Sequence, residues 1–342
     1  MIYSQNKDKE DSIRFYAVYQ KAYDIRNAKP DSALLLLDKA MEAAVLSANK
    51  EWMAKVFNLR GIVYYRKSEY LKSLTELEKA LKHTSNADMI GKININLGNT
   101  LSDMGYSYSA IQYYKEAIRI FDCSGNHQFL IRALMNLASE EFNVGQNLNA
   151  RNHLKLALFY AREYQMMEEE AMCLNNLSAM YIKAGLVDSA SGYIYQSFNA
   201  YEQTENYFGL ADAYLTAIEL HLEKKEWSYA KALMDLADSL IDELQYLDGK
   251  KLIVSEKVNY YLHTNDCATA AVFFNEYLRL EDSLVKKKYH SGVVPSIQQN
   301  ISEDKRKIFS SNYISYIQLF FIIGILVCIM VFTFKNYRYG KA

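Results

Sequence analysis

Six histidines and four cysteines are the side chains best suited to nucleophilic or metal chemistry here, and their spacing supports neither. His83, His127, His153, His221, His263 and His290 are scattered, and none has an Asp or Cys at a spacing that builds a dyad or a metal site. Cys123, Cys173, Cys267 and Cys328 form no C-x-x-C pair and read as buried small hydrophobes. Glycine-rich phosphate and dinucleotide loops, G-x-S-x-G and H-E-x-x-H are all absent. The acidic run Glu168–Glu170 reads as a solvated helix start, where negative charge meets the positive end of the helix dipole. What remains is a ladder of amides: Asn96, Asn136 and Asn176 recur 40 residues apart. An Asn amide both donates and accepts, so such a row pairs either with an extended peptide or with a neighbouring carbonyl inside the fold. The expectation is a chain that is not an enzyme and carries no cofactor and no metal.

A ladder of that period needs elements that repeat with it. Ala110, Ala150, Ala190, Ala230 and Ala270 do so, and Ala33 and Ser73 extend the line upstream. One interval, Ser73 to Ala110, is 37 residues, which reads as a shorter connecting turn. A period in the range of about 20–50 residues marks a stack of identical supersecondary units. Only two prolines and 13 glycines interrupt the chain, so the units are helical. Apolar residues recur at three- and four-residue steps in 90–105 and 131–145. The turn signals Met104-Gly105, Val144-Gly145 and Ala184-Gly185 then precede a second helix containing the ladder alanine, with Asp31, Ser109 and Asp188 placed to cap such starts. Seven hairpins fit, at 13–47, 51–83, 88–122, 128–163, 168–203, 207–244 and 249–285. Lys plus Arg is 39 against 40 Asp plus Glu, so no basic field invites nucleic acid.

The residues within the hairpins resemble the tetratricopeptide repeat. Leu97-Gly98 is followed by Ala110, Tyr114 and Ala117, and Leu137-Ala138 by Ala150, Leu154 and Ala157. Leu177-Ser178 and Tyr181 precede Ala190 and Ile194, while Gly61 and Tyr64 precede Ser73, Leu77 and Ala80. The chain departs from the family in lacking its early Trp, since Trp52 and Trp227 fall elsewhere, and its closing Pro. The last two units lose Leu-Gly. The 40-residue period exceeds the family's usual length of about 34 and is shared with HEAT-type repeats, but the Ala–aromatic–Ala signature favours the tetratricopeptide. The resemblance implies an all-α, right-handed α-solenoid of about seven hairpins whose first helices line a concave groove. It places Asn96, Asn136 and Asn176 in that groove, with Lys92, Asn99, Arg132, Ser139, Asn175 and Lys183 beside them as peptide contacts. The implied partner is a protein or a peptide. Only a fraction of the family's clamp for chaperone tails is present.

Beyond the repeats, Ile308 to Phe334 carries no charge. A run of this length can span a bilayer as a helix, and Tyr313, Tyr316, Tyr337 and Tyr339 stand where interface anchors would. The expected organisation is a polar N-terminal segment at 1–12, the array at 13–285, a juxtamembrane linker at 286–312, a transmembrane helix at 313–334 and a short basic tail at 335–342. The expected localisation is a single-pass membrane protein. Its array is cytosolic and tail-anchored if the polar start is genuine, and periplasmic if a signal peptide is missing. In this the chain is similar to the tetratricopeptide membrane regulators of Bacteroidetes, although no nucleic-acid binding is carried over. The expected function is a non-catalytic, membrane-anchored scaffold or sensor that holds a peptide or protein in its groove. The alternative is a structural assembly factor that braces a membrane or envelope complex.

Overall fold

A computed structural model describes residues 2–285. They form fourteen helices and no strand among the described residues. The helices are α1 (Ile2–Ile25), α2 (Pro30–Leu46), α3 (Lys50–Arg66), α4 (Tyr70–His83), α5 (Ala87–Asp103), α6 (Ser107–Ser124) and α7 (His127–Asn143) in the first half. The second half holds α8 (Asn147–Glu163), α9 (Met167–Lys183), α10 (Val187–Gln203), α11 (Tyr207–Glu223), α12 (Trp227–Glu243), α13 (Leu247–His263) and α14 (Cys267–Val285). The helix α1 runs back to Ile2, so the polar segment at 1–12 continues the first hairpin rather than preceding it.

The 40-residue period has a simple origin. From α7 to α13 every helix is 17 residues long. Each ends in a three-residue turn such as Val144–Gln146. The middle residue of each turn is left-handed, as at Gly145 (φ 81°), Gln165 (φ 54°), Gly185 (φ 73°), Glu205 (φ 51°) and Lys225 (φ 60°). At Gly105 the N–H bonds to the Ser102 carbonyl and the next N–H, on Tyr106, bonds to the Leu101 carbonyl. These two bonds close the helix end in a Schellman motif, and the same pair recurs down the chain. The 37-residue interval is not a shortened turn. Its missing residues come from α4, which has 14, and Thr84 leaves that helix in extended backbone without a left-handed residue.

The alanine ladder is the seam of each hairpin. Ala33, Ser73, Ala110, Ala150, Ala190 and Ala230 are each the fourth residue of a second helix and are fully buried. One turn later stands a larger plug: Leu37, Leu77, Tyr114, Leu154, Ile194 or Met234, all at most 2% exposed. Small residues on the first helix receive these plugs, Gly61 facing Leu77 and Gly98 facing Tyr114. Burying such a side chain contributes roughly 1.5–3 kcal/mol, and the small residue opposite lets the helices approach closely enough to collect it. Where Ser stands on the seam its hydroxyl is satisfied: Ser73 pairs with Thr100, Ser178 donates to the Ala190 carbonyl and Ser197 to the Ala171 carbonyl.

Each helix packs on the next in sequence, and beyond that the odd-numbered helices α3, α5, α7, α9, α11 and α13 touch one another in order. The even-numbered ones are held apart, so the odd helices line the inner, concave side of the stack. Among the described residues no helix is long and apolar enough to cross a membrane, which corrects the single-pass localisation expected from the sequence. Every described helix carries charged side chains. Even α11, the richest in buried residues, carries Asp212, Glu219 and Glu223. The segments 286–312, 313–334 and 335–342 lie outside the described residues.

Several local expectations change in three dimensions. Asp31, Ser109 and Asp188 lie inside the first turns of α2, α6 and α10, whose cap residues Lys29, Tyr106 and Leu186 make no side-chain cap bond. Side-chain caps are instead supplied by Asn49, Asn86 and Asn206 at the starts of α3, α5 and α11. Of the three cysteines among the described residues only Cys173 is buried, its thiol pushed well up by desolvation, whereas Cys123 and Cys267 are exposed; Cys328 lies outside the described residues. Glu169 is not solvated: it is 3% exposed and receives Gln128 Nε2 at 2.8 Å and Arg132 at 3.0 Å from α7.

Candidate functional site

Equivalent points on successive odd helices are 37 residues apart between α3 and α5 and 40 apart from α5 onward, so a side chain on one helix meets residues within a turn of its counterpart on the odd helix before it. The amide ladder follows this rule, and its members differ in what they meet. Asn96 of α5 donates Nδ2 to Asn58 Oδ1 of α3 at 2.9 Å. Asn136 of α7 donates to Asn99 Oδ1 of α5 at 2.9 Å, and the same oxygen accepts the Tyr114 hydroxyl at 2.8 Å. These two amides tie hairpin to hairpin. Asn176 of α9 breaks the series, because the position that holds Asn99 on α5 holds Ser139 on α7. Ser139 is too short to take the amide, and the two helices leave a cleft of about 220 Å³ between them.

The cleft has an apolar floor of Met135, Phe142, Leu154, Ala179 and Met180, with Ser139, Asn143, Asn176 and Lys183 at its polar rim. Asn175, next to Asn176, does not line the cleft, and its Oδ1 is buried without a hydrogen-bond partner. A smaller cleft of about 100 Å³ lies between α3 and α5, lined by Gly61, Ile62, Tyr65, Arg66, Ser73, Asn96 and Asn99. The structure thus brings Asn176, Ser139 and Lys183 together at one opening and Asn96 and Asn99 at another. Lys92 instead lays its ammonium over the Phe129 ring, 4.4 Å from the centroid, and Arg132 is engaged with Glu169.

The clefts also contain residues not anticipated from the sequence. Asn143 is one: it follows the ladder asparagine Asn136 by seven residues, two helical turns, as the expected contact Lys183 follows Asn176, and that spacing is the signal that finds it. On α11 and α13 the 40-residue register places Glu219 on the line of Ser139 and Glu256 on the line of the ladder asparagines. Desolvation raises the pKa of both, and the nearby Glu219 pushes Glu256 further, to about 7. Two histidines that lack an Asp or Cys neighbour in sequence do find carboxylates in space: His153 Nδ1 lies 2.6 Å from buried Glu141, and His221 Nδ1 lies 2.5 Å from Glu226. Each pair joins the end of a first helix to the start of the second and binds the hairpin together, and none of these four side chains lines either cleft.

No family model matches the chain, and no curated protein matches it. Solved structures do. The apo form of RapI superposes with a TM-score of 0.64 at 16% identity, over 80% of this chain and 99% of that one. The Rap conjugation gene regulator of the plasmid pLS20, in complex with the Phr* peptide, gives 0.60 at 17% identity over 84% and 79% of the two chains. A signal-transduction ATPase with a tetratricopeptide repeat sensor, from Pyrococcus horikoshii, gives 0.59 at 14% identity over 80% of this chain and 44% of that one. The chain has the tetratricopeptide-type solenoid fold. Identities this low carry the fold and nothing finer. Within it, the solenoid's concave face is where the amide ladder opens, between α7 and α9.

Proposed function

We propose that this protein is a non-catalytic regulator or scaffold that holds an extended peptide, or an extended segment of a protein, across its odd-numbered helices. The observation that carries the reading is the break in the amide ladder. Asn96 and Asn136 are consumed by Asn58 and Asn99, whereas Asn176 faces a cleft of about 220 Å³ with an apolar floor. An apolar floor with a few convergent polar groups suits one anchoring side chain plus bonds to the backbone beside it. The similar Rap regulator solved with a peptide supports the same class of ligand.

The test is a random peptide library displayed on phage and panned against the full chain, followed by titration of the enriched peptides. Binding in the micromolar range, lost in Ser139→Trp, which fills the cleft, and weakened in Asn176→Ala, is the expected result. Absence of enrichment, or binding indifferent to both substitutions, would sink the proposal. A second reading, a brace that works through broad contacts on the outer face, draws on the exposed apolar side chains there, Phe159 of α8 and Tyr229 and Leu236 of α12. It predicts a partner displaced by Leu236→Glu and unaffected by Ser139→Trp.

A further inference from the structure

Charge along the concave face changes sign between α9 and α11. The repeat register makes the comparison direct. Arg66 and Lys183 both rim a cleft, and the next residue on their line, 40 positions after Lys183, is Glu223. Asn96, Asn136 and Asn176 share a line with Glu256, and Ser139 and Ala179 share one with Glu219. Over α3 to α9 the groove cations Arg66, Lys92 and Lys183 have no carboxylate within 4.0 Å among the described residues. Other charges of that half are engaged, Lys55 with the Tyr16 hydroxyl, Asp88 with Asn126, Asp103 with the Tyr65 and Tyr70 hydroxyls, Arg132 with Glu169 and Glu140 with Ser102.

Over α11 and α13 the situation is reversed. Glu219, Glu223 and Glu256 have no Lys or Arg nitrogen within 4.0 Å among the described residues. Lys257, next in sequence to Glu256, turns to Asp238 of α12 at 2.7 Å, and Lys250 binds the same aspartate at 3.0 Å. Lys183, at the boundary between the two halves, favours the charged form of Glu219, and Glu223 works against it. Glu219 and Glu256 are half-buried and Glu223 is exposed. A half-buried carboxylate without a cation is unfavourable, and a ligand that brings an ammonium or guanidinium supplies what the fold withholds.

Resting on the groove reading above, we infer that the groove selects an extended peptide with unlike ends, its acidic end lying over α3 to α7 and its basic end over α11 and α13. Helices pack roughly 8–10 Å apart, so α5 to α11 spans roughly 30 Å, and an extended chain rising about 3.3 Å per residue covers it with roughly nine residues. The apolar cleft between α7 and α9 then falls under the middle of the ligand. Both ends contribute steering as well as contact, and the salt dependence of binding reports them.

The probes are two fluorescein-labelled synthetic peptides of one composition, titrated into the full chain by anisotropy. One carries an acidic block, an apolar block and a basic block in that order. The other alternates its charges. The block peptide is expected to bind at least about tenfold tighter, and a photo-cross-linker at its basic end to label α11 or α13. In the Glu219→Gln, Glu256→Gln double variant that preference and most of its salt dependence are expected to vanish, with the fold checked by circular dichroism. Equal affinities for the two peptides, or a basic end cross-linked to α3–α7, overturn the inference. If the equal binding is blocked by Ser139→Trp, the groove reading survives and the charge selection falls. If neither these peptides nor library-selected ones bind, both fall.

Discussion

Tyr114 of α6 lies across Gly98 of α5 so closely that a Cβ added at Gly98 would stand 2.4 Å from the ring. The ring is held from both sides, because its hydroxyl donates to Asn99 at 2.8 Å. Gly98→Ala therefore forces either the ring or the helix to move and is expected to destabilise the chain by about 2 kcal/mol, measured by urea unfolding. Gly192 is the control. It sits on the exposed face of α10 with nothing near its Cβ position, and Gly192→Ala is expected to stabilise by about 0.5–1 kcal/mol.

The left-handed turn residues give a second test. Gln165, Glu205 and Gln245 hold φ between 51° and 54°, where an L side chain is disfavoured by about 1 kcal/mol. Replacing any of them with Gly is expected to raise stability by about 0.5–1 kcal/mol, and Gly145→Ala to lower it by a similar amount. A fall in the denaturation midpoint on Gln165→Gly would show that its side chain matters more than its backbone.

The ladder asparagines are expected to separate by readout. Asn99→Ala removes the acceptor of both Asn136 and the buried Tyr114 hydroxyl and should destabilise by about 2–3 kcal/mol. Tyr114→Phe in that background should recover part of the loss, since no hydroxyl is then left unpaired. Asn176→Ala should leave the unfolding curve unchanged and weaken ligand binding alone. Equal destabilisation by Asn99→Ala and Asn176→Ala would mean that Asn176 is structural too.

Stability should depend on pH through α11 and α13. The folded pKa of Glu256 is raised from 4.5 to about 7, and that of Glu219 is raised as well. Between the unfolded and folded values the native state holds the extra proton. The stabilisation is therefore complete below about pH 4.5 and is lost as pH rises through about 7. For Glu256 the loss is at most on the order of 3 kcal/mol, the full shift at about 1.4 kcal/mol per unit. Denaturation curves at about pH 5.5 and pH 8 should differ for the natural chain, with the higher pH less stable. Glu256→Gln should flatten that difference and raise stability at the higher pH.

The hairpin architecture was readable from residue types alone because its causes are local. Amphipathic helices mostly of seventeen residues, glycines in the turns after α5, α6, α7 and α9, and a small residue at the fourth position of every second helix repeat within the chain's own register. Partner choice is not local. Asn96, Asn136 and Asn176 are identical in type and spacing, and their different fates depend on Asn58, Asn99 and Ser139, about 38 residues away. The same holds for Glu169, which reads as a solvated helix start until Arg132 and Gln128 of the neighbouring hairpin close over it.

Helical periodicity, the 40-residue unit and the close-packed seam thus follow from the order of residues, since backbone propensity and hydrophobic spacing act within a turn or two of helix. Stacking decided the rest: which amides are spent holding hairpins together, which histidines meet a carboxylate, and where the concave face opens. The physical reason is that a hydrogen bond or ion pair is set by what a side chain faces after folding, and in a stack of repeats that neighbour belongs to the next unit.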